Sequence, residues 1–241
     1  SINLDFDTEP DLKNKYGVFY SNAYKSKNIV CPRQLLPWPL SVYYISLMFP
    51  PVTLKLPDWI DTFLKDKPTR YTSDSRKMEL VISLARKNIE SATGGPFAAA
   101  VFNMDTGELI APGVNVVVEQ SCSSAHAEIM ALSTAQKILG SFDLSSHGLP
   151  KCELFSSTAP CAMCLGAIPW SGVKRLVCGA ADKDARAIGF DEGEKVENWT
   201  SKLNKRGIEV VTDFMREEAS DVLQRYKMSG GVIYNSEIGC K

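Results

Sequence analysis

Net charge is almost absent from this 241-residue sequence: 27 Lys and Arg stand against 28 Asp and Glu, a formal charge of −1. So balanced a chain projects no global field towards a phosphate backbone or an anionic bilayer, which sets nucleic acid and membrane surfaces aside as bulk partners. Long apolar runs are missing too. The most hydrophobic stretch, LSVYYISLMF at 40–49, lies between prolines and falls well short of the roughly 20 residues that cross a bilayer, so it is expected to pack against the domain. The opening SINLDFDTEPDLKNK is acidic and polar where a secretory signal would be basic and then apolar. Seven scattered cysteines do not form a disulfide framework, and free thiols point to a reducing compartment. A cytoplasmic protein is expected. Repeats and low-complexity tracts are absent, and histidine is scarce, with only His126 and His147.

What is present is an ordinary globular balance, 44% hydrophobic and 23% charged, enough for one domain with a complete core. Residues 1–72 read as an irregular extension rich in Pro, Lys, Asn and Tyr, with one short helical piece near 58–64. From residue 73 the pattern changes. Asp74 or Ser75 can cap a helix whose buried face is Met78, Val81, Ile82, Ala85 and Ile89, and Gly94-Gly95 stops it. Apolar segments at 97–102 and 109–118 flank a polar turn, the pattern of an antiparallel hairpin. Helices near 125–139, from 161, near 198–205 and at 214–228 then alternate with strands at 153–156, 173–178 and 208–211. Pro169 should end or kink the helix that begins at Cys161, leaving it about two turns long. The alternation predicts an α/β fold with parallel crossovers, a helix–sheet–helix sandwich over 73–228 followed by a segment at 229–241.

The chemistry concentrates in two short stretches, SAHAEIMALS and STAPCAMCLGAIPWSG. A lone C-x-x-C is ambiguous between a redox pair, half a metal site and two buried thiols. Here Pro160 precedes Cys161 and a helical run follows, so both sulfurs fall in a first helical turn, where free N–H groups and the positive dipole end favour thiolates. His126 opens another helix, with Glu128 two residues on. His126, Cys161 and Cys164 would give one zinc ion three protein ligands and leave a fourth position open, the arrangement of a catalytic site. Glu128 would move protons beside it. His147, in a loop without a companion carboxylate, reads as a surface residue, and Cys31, Cys122, Cys152, Cys178 and Cys240 as structural or incidental thiols.

H-A-E followed by P-C-x-x-C is the established signature of zinc-dependent base deaminases, and the chain from about residue 73 resembles the cytidine-deaminase-like superfamily. GGPFAAAVF, GVNVVV, SAHAEIMALS, APCAMCLGAIPWSGV, AIGFDEG and GVIYN are similar, in order and spacing, to its bacterial guanine deaminase branch. That resemblance implies a three-layer α/β/α sandwich around a five-stranded mixed sheet, one zinc per subunit, a homodimer, and hydrolysis of guanine to xanthine and ammonia. It also implies a C-terminal segment folded over an active site.

Under that reading Asn115 offers amide donors and acceptors to a flat heterocycle, Phe97 and Phe190 close on the two faces of its ring, and Ala127 and Tyr234 belong to the pocket. Glu192 protonates the departing amine, with Asp191 in reserve; without the resemblance, DEG reads as a solvated turn. The competing readings are guanosine, cytosine or an amino-triazine such as ammeline as substrate, adenosine in tRNA, and a zinc-stabilised scaffold without turnover.

Overall fold

The computed structural model describes residues 52–235. The expected packing of 40–49, together with Cys31 and Cys240, lies outside the described residues, as does the C-terminal segment beyond Asn235. A compact unit begins at Thr53. Its first helix, α1 (Trp59–Lys65), is followed by α2 (Asp74–Glu90). Ser73, rather than Asp74 or Ser75, caps α2, its hydroxyl accepting the Arg76 amide at 3.3 Å. The helix stops at Glu90, four residues short of the glycine pair.

Strands β1 (Ala98–Asn103), β2 (Leu109–Val114), β3 (Cys152–Thr158), β4 (Arg175–Ala180) and β5 (Glu209–Val211) form one sheet in the order β2-β1-β3-β4-β5. Strand β1 is antiparallel to both neighbours, whereas β3, β4 and β5 are parallel. Every strand except β1 therefore runs the same way. The strands are connected by α3 (Ala127–Leu139), α4 (Ala162–Ser171), α5 (Asp182–Ile188) and α6 (Trp199–Lys205), and α7 (Arg216–Met228) follows β5.

Both sheet faces are covered, as the near-continuous apolar strands required. Ala98, Ala100 and Phe102 of β1 face a core shared with α2 and α7, while Ala99 and Val101 face one shared with α3 and α4. The result is the expected α/β/α sandwich. Among the described residues no helix is long and apolar enough to cross a membrane.

Three local expectations are corrected. Strand β2 ends at Val114, not 118, because the Asn115 side-chain oxygen accepts the Val117 amide at 3.3 Å and turns the chain. Pro169 lies inside α4 without ending it: proline withdraws one donor near the helix terminus, and α4 continues to Ser171 before Gly172 closes it in the left-handed region at φ 83°. Helix α5 has no counterpart among the expected elements. Only Ala185 and Ile188 of its seven residues are buried, so its apolar period is too short to read. Tertiary contacts hold it, chiefly the fork of Arg216 from α7 on Asp184, at 2.8 Å to each oxygen.

Helix α3 approaches the sheet closely because β2 presents Gly113 beneath it; a Cβ there would collide with the Ala127 carbonyl and the Ala131 amide. Gly113→Ala is expected to destabilise the fold by about 1–3 kcal/mol, the ordinary cost of overpacking, and to weaken zinc retention by lifting the start of α3. Urea denaturation and metal analysis of one preparation measure both.

Candidate active site

Two helix starts meet at one edge of the sheet. Because β2 and β3 run in the same direction, α3 and α4 both begin beyond their carboxyl ends, where open α/β sheets place their ligands. His126 is the N-cap of α3 and Cys161 the N-cap of α4, each in an extended conformation. Neither side chain caps its own helix. They turn towards each other instead, the His126 Nδ1 lying 3.4 Å from the Cys161 Sγ. Cys164 is the third residue of α4, and the N-cap and N3 side chains of a helix lie close together, which is why the C-x-x-C spacing brings both sulfurs to one point.

The three ligand atoms all lie within 4.8 Å of one another. Ligands held tetrahedrally by zinc at about 2.0 Å (nitrogen) and about 2.3 Å (sulfur) lie roughly 3.5 Å apart, so the observed His126–Cys161 separation suits the ion without rearrangement. The electrostatics separate the two sulfurs: the hydrogen bond with Cys161, together with burial, raises the Cys164 thiol well above its ordinary range, whereas Cys161 is favoured as the thiolate. The Cys164 thiol and the His126 ring beside Cys161 hold its thiol down to about 4, against the opposing effect of burial. Burial instead pushes Cys152 up to about 11 and raises Cys178 well above the ordinary thiol range, which marks both as inert core residues.

A cavity of about 170 Å³ opens against this corner. His126, Cys161, Glu128, Glu192, Asp191, Asn115, Phe97, Phe190 and Tyr234, all expected from the sequence, line it. Ala127 and Cys164 do not: Ala127, the first residue of α3, is fully buried in the core on the sheet side, and Cys164 is fully buried behind Cys161 in α4. Glu128, in the first turn of α3, is buried, and burial raises its carboxyl above the usual range. Glu192 is buried as well. Burial pushes it up to about 7, with the Lys195 ammonium opposing the shift.

Asn115 is held from outside the cavity: buried Asn88 donates to the carbonyls of Asn115 and Gly95 at 2.9 and 2.8 Å. Among the described residues the buried Asn115 amide nitrogen has no partner, nor do the hydroxyls of Thr158 and Tyr234. Unpaired polar atoms converging on a cavity are what a polar heterocycle would satisfy. Phe97 and Phe190 depart from expectation. Their ring centroids are 4.9 Å apart at 68°, edge to face, leaving no room for a base between them. They form one wall, extended by Tyr234 at 5.0 Å from Phe190.

Tyr234 and Asn235, near the end of the described residues, line the cavity. Tyr226 donates to the Val232 carbonyl at 2.7 Å, and Asn235 accepts the Asp191 amide at 2.9 Å while donating to the Gly189 carbonyl at 2.8 Å. Sequence reasoning missed Asn88, Thr158, Lys195 and Asn235. Of these, Thr158 and Asn235 fall inside the quoted STAPCAMCLGAIPWSG and GVIYN, whereas Asn88 and Lys195 carried no signal.

The family model for the cytidine and deoxycytidylate deaminase zinc-binding region matches residues 71–180. The guanine deaminase of Bacillus subtilis is 36% identical over 115 residues, 48% of this chain and 69% of its own length. A tRNA-specific adenosine deaminase of Haemophilus influenzae is 34% identical over 158 residues, 64% and 82% of the two lengths. Among solved structures, guanine deaminase from Nitrosomonas europaea superposes with a TM-score of 0.70 at 48% identity, covering 74% of this chain and 97% of that one.

The purified protein is expected to contain one zinc per chain, and Cys161→Ala to contain none, by elemental analysis. Stripping the metal should lower stability by about 2.7 kcal/mol relative to zinc at about 100 times its Kd, which a thermal melt with and without chelator would register.

Proposed function

The chain belongs to the cytidine and deoxycytidylate deaminase family, and from that premise we propose that it hydrolyses guanine to xanthine and ammonia. One observation carries this reading: two buried carboxylates, Glu128 and Glu192, line a single cavity beside the His126–Cys161 corner. Two such groups allow a separate carboxylate to serve each of the two proton transfers. Similarity to the guanine deaminases of Bacillus subtilis and Nitrosomonas europaea supports the choice of base.

Zinc held by His126, Cys161 and Cys164 would act as a Lewis acid that makes water a competent nucleophile at neutral pH. The chain's own residues account for the rest. Asn115 would hydrogen-bond the edge of the purine, pre-positioned by Asn88 behind it. Glu128 takes one proton from the attacking water and delivers it to the ring nitrogen beside C2, while the water oxygen bonds to C2. Protonated Glu192 gives its proton to the amino group and the C2–N bond breaks to release ammonia, while the oxygen on C2 becomes the xanthine carbonyl and its remaining proton returns to Glu192. A carboxyl titrating near neutrality suits that donation. Phe97, Phe190 and Tyr234 pack the apolar wall and exclude solvent, which strengthens every charge interaction inside.

The balanced charge disfavours tRNA, whose backbone requires a basic groove. Retention of Glu128 disfavours an inert scaffold, because a structural zinc site has no use for a carboxylate there. The same reading makes the protein a cytoplasmic homodimer in purine metabolism. Trp170, 84% exposed on α4, with Met163 on the same helix, supplies apolar surface of the kind self-association covers.

Guanine is expected to release ammonia fastest in a panel with guanosine, adenine, cytosine, cytidine and ammeline. Glu128→Gln should keep its zinc and lose roughly 10²- to 10⁴-fold in kcat, the usual contribution of a proton-transferring side chain. Wild-type turnover in that variant would refute the mechanism.

A further inference from the structure

The two carboxylates are held very differently. Glu128 stands on the rigid first turn of α3, whereas Glu192 belongs to the loop between α5 and α6, where no ladder of backbone hydrogen bonds fixes a side chain. Among the described residues, the one polar partner of the Glu192 carboxylate is the Lys195 ammonium, 3.5 Å from its Oε2. Lys195 is a poor candidate for a solvated surface cation, since its side chain is only 10% exposed. It is anchored on its far side by an ion pair with Asp182, the first residue of α5.

Asp182 is in turn gripped by Arg186, one turn along α5, whose Nε donates to Asp182 Oδ2 at 2.6 Å. The same guanidinium donates through Nη2 to the Gly193 carbonyl at 2.7 Å and stands 3.8 Å from Asp191. The Glu192 backbone is pinned separately, its carbonyl accepting the Ala162 amide at the start of α4 with an N–O distance of 2.9 Å. A chain of alternating charge, Arg186–Asp182–Lys195–Glu192, thus runs from a helix to the cavity.

We propose that Lys195 is a positioning residue for Glu192, aiming its carboxylate at the leaving group, and that Asp182 and Arg186 position Lys195 in turn. The role rests on the assignment of Glu192 as the acid for the departing amine. A proton donor on a loop must be held within a fraction of an ångström of its target, and a misplacement of about 1 Å can cost about 10²-fold in rate. A buried ammonium held by charge between two carboxylates, with no directed hydrogen bond to either among the described residues, supplies that restraint, which a solvated lysine could not. It also stays beside Glu192 once the proton has left, offsetting the new charge. Substrate binding depends on Asn115 and the aromatic wall, away from Lys195, so the restraint acts on turnover and not on affinity.

The test is a double-mutant cycle on the zinc-loaded full chain with guanine as substrate. Lys195→Met is expected to lower kcat roughly 10- to 100-fold while KM stays within about 3-fold and zinc remains at one per chain. Lys195→Arg, which keeps the charge, should restore most of the loss. Placed on Glu192→Gln, Lys195→Met should change kcat by less than about 2-fold, because a restraint on an absent acid has nothing left to act on. Lys202→Met, on a neighbouring lysine with no contact to Glu192, should match the wild type.

Additive losses in the double variant, or a fall in zinc content parallel to the fall in rate, would assign Lys195 a purely structural part and overturn the proposal. Full activity in Lys195→Met would overturn it equally. If Glu192→Gln alone keeps wild-type turnover, the assignment of the acid fails first, and the positioning role fails with it.

Discussion

The approach of two helix N-termini at the carboxyl edge of one sheet is the constraint from which the site follows. His126 and Cys161 stand 3.4 Å apart although 35 positions separate them in sequence. They meet because β2 and β3 share a direction and release their helices on the same side. Gly113 lets α3 sit close enough to the sheet for the imidazole to reach the sulfurs. Both ligand-bearing caps adopt extended conformations, so each side chain projects from the helix end into the field of unpaired amides, where a thiolate is favoured.

That edge also gathers the residues that would handle the base. Asn115 follows the end of β2 and Thr158 ends β3, while Phe97 precedes β1, which runs the opposite way and so starts where its neighbours finish. The loop carrying Asp191 and Glu192 is brought in by contacts outside the sheet, two from side chains and one from backbone. Arg186, Asn235 and the start of α4 share that task. The consequence is a cavity with one helix-borne and one loop-borne carboxylate, both buried and both shifted towards protonation by loss of water.

What could be read from the chain divides by the range of the physics involved. The ligand triad and Glu128 were legible because their spacing relative to a helix start is itself the geometry of the site. The alternation of elements was legible because each long helix and buried strand carries its own apolar period. Helix α5 was not, since its stability comes from Arg216, 32 residues downstream of Asp184. The end of β2 was misread because an apolar run continues past Asn115 while that side chain turns the backbone. Phe97 and Phe190 were correctly taken to the cavity but assigned a sandwich they do not form. Residue type marks a ring as apolar; its packing partners set the angle.

By itself the sequence determined the fold class, the three side chains positioned to hold zinc and the carboxylate beside them, because these depend on local periodicity and on helix-end chemistry. Only the tertiary structure decided that Asn88 holds Asn115, that Tyr234 and Asn235 line the cavity, and that Lys195 lies between Asp182 and Glu192. Those contacts join segments whose proximity arises from the packing of helices on the sheet. Side-chain packing and charge pairing act across space, and no spacing along the chain encodes them.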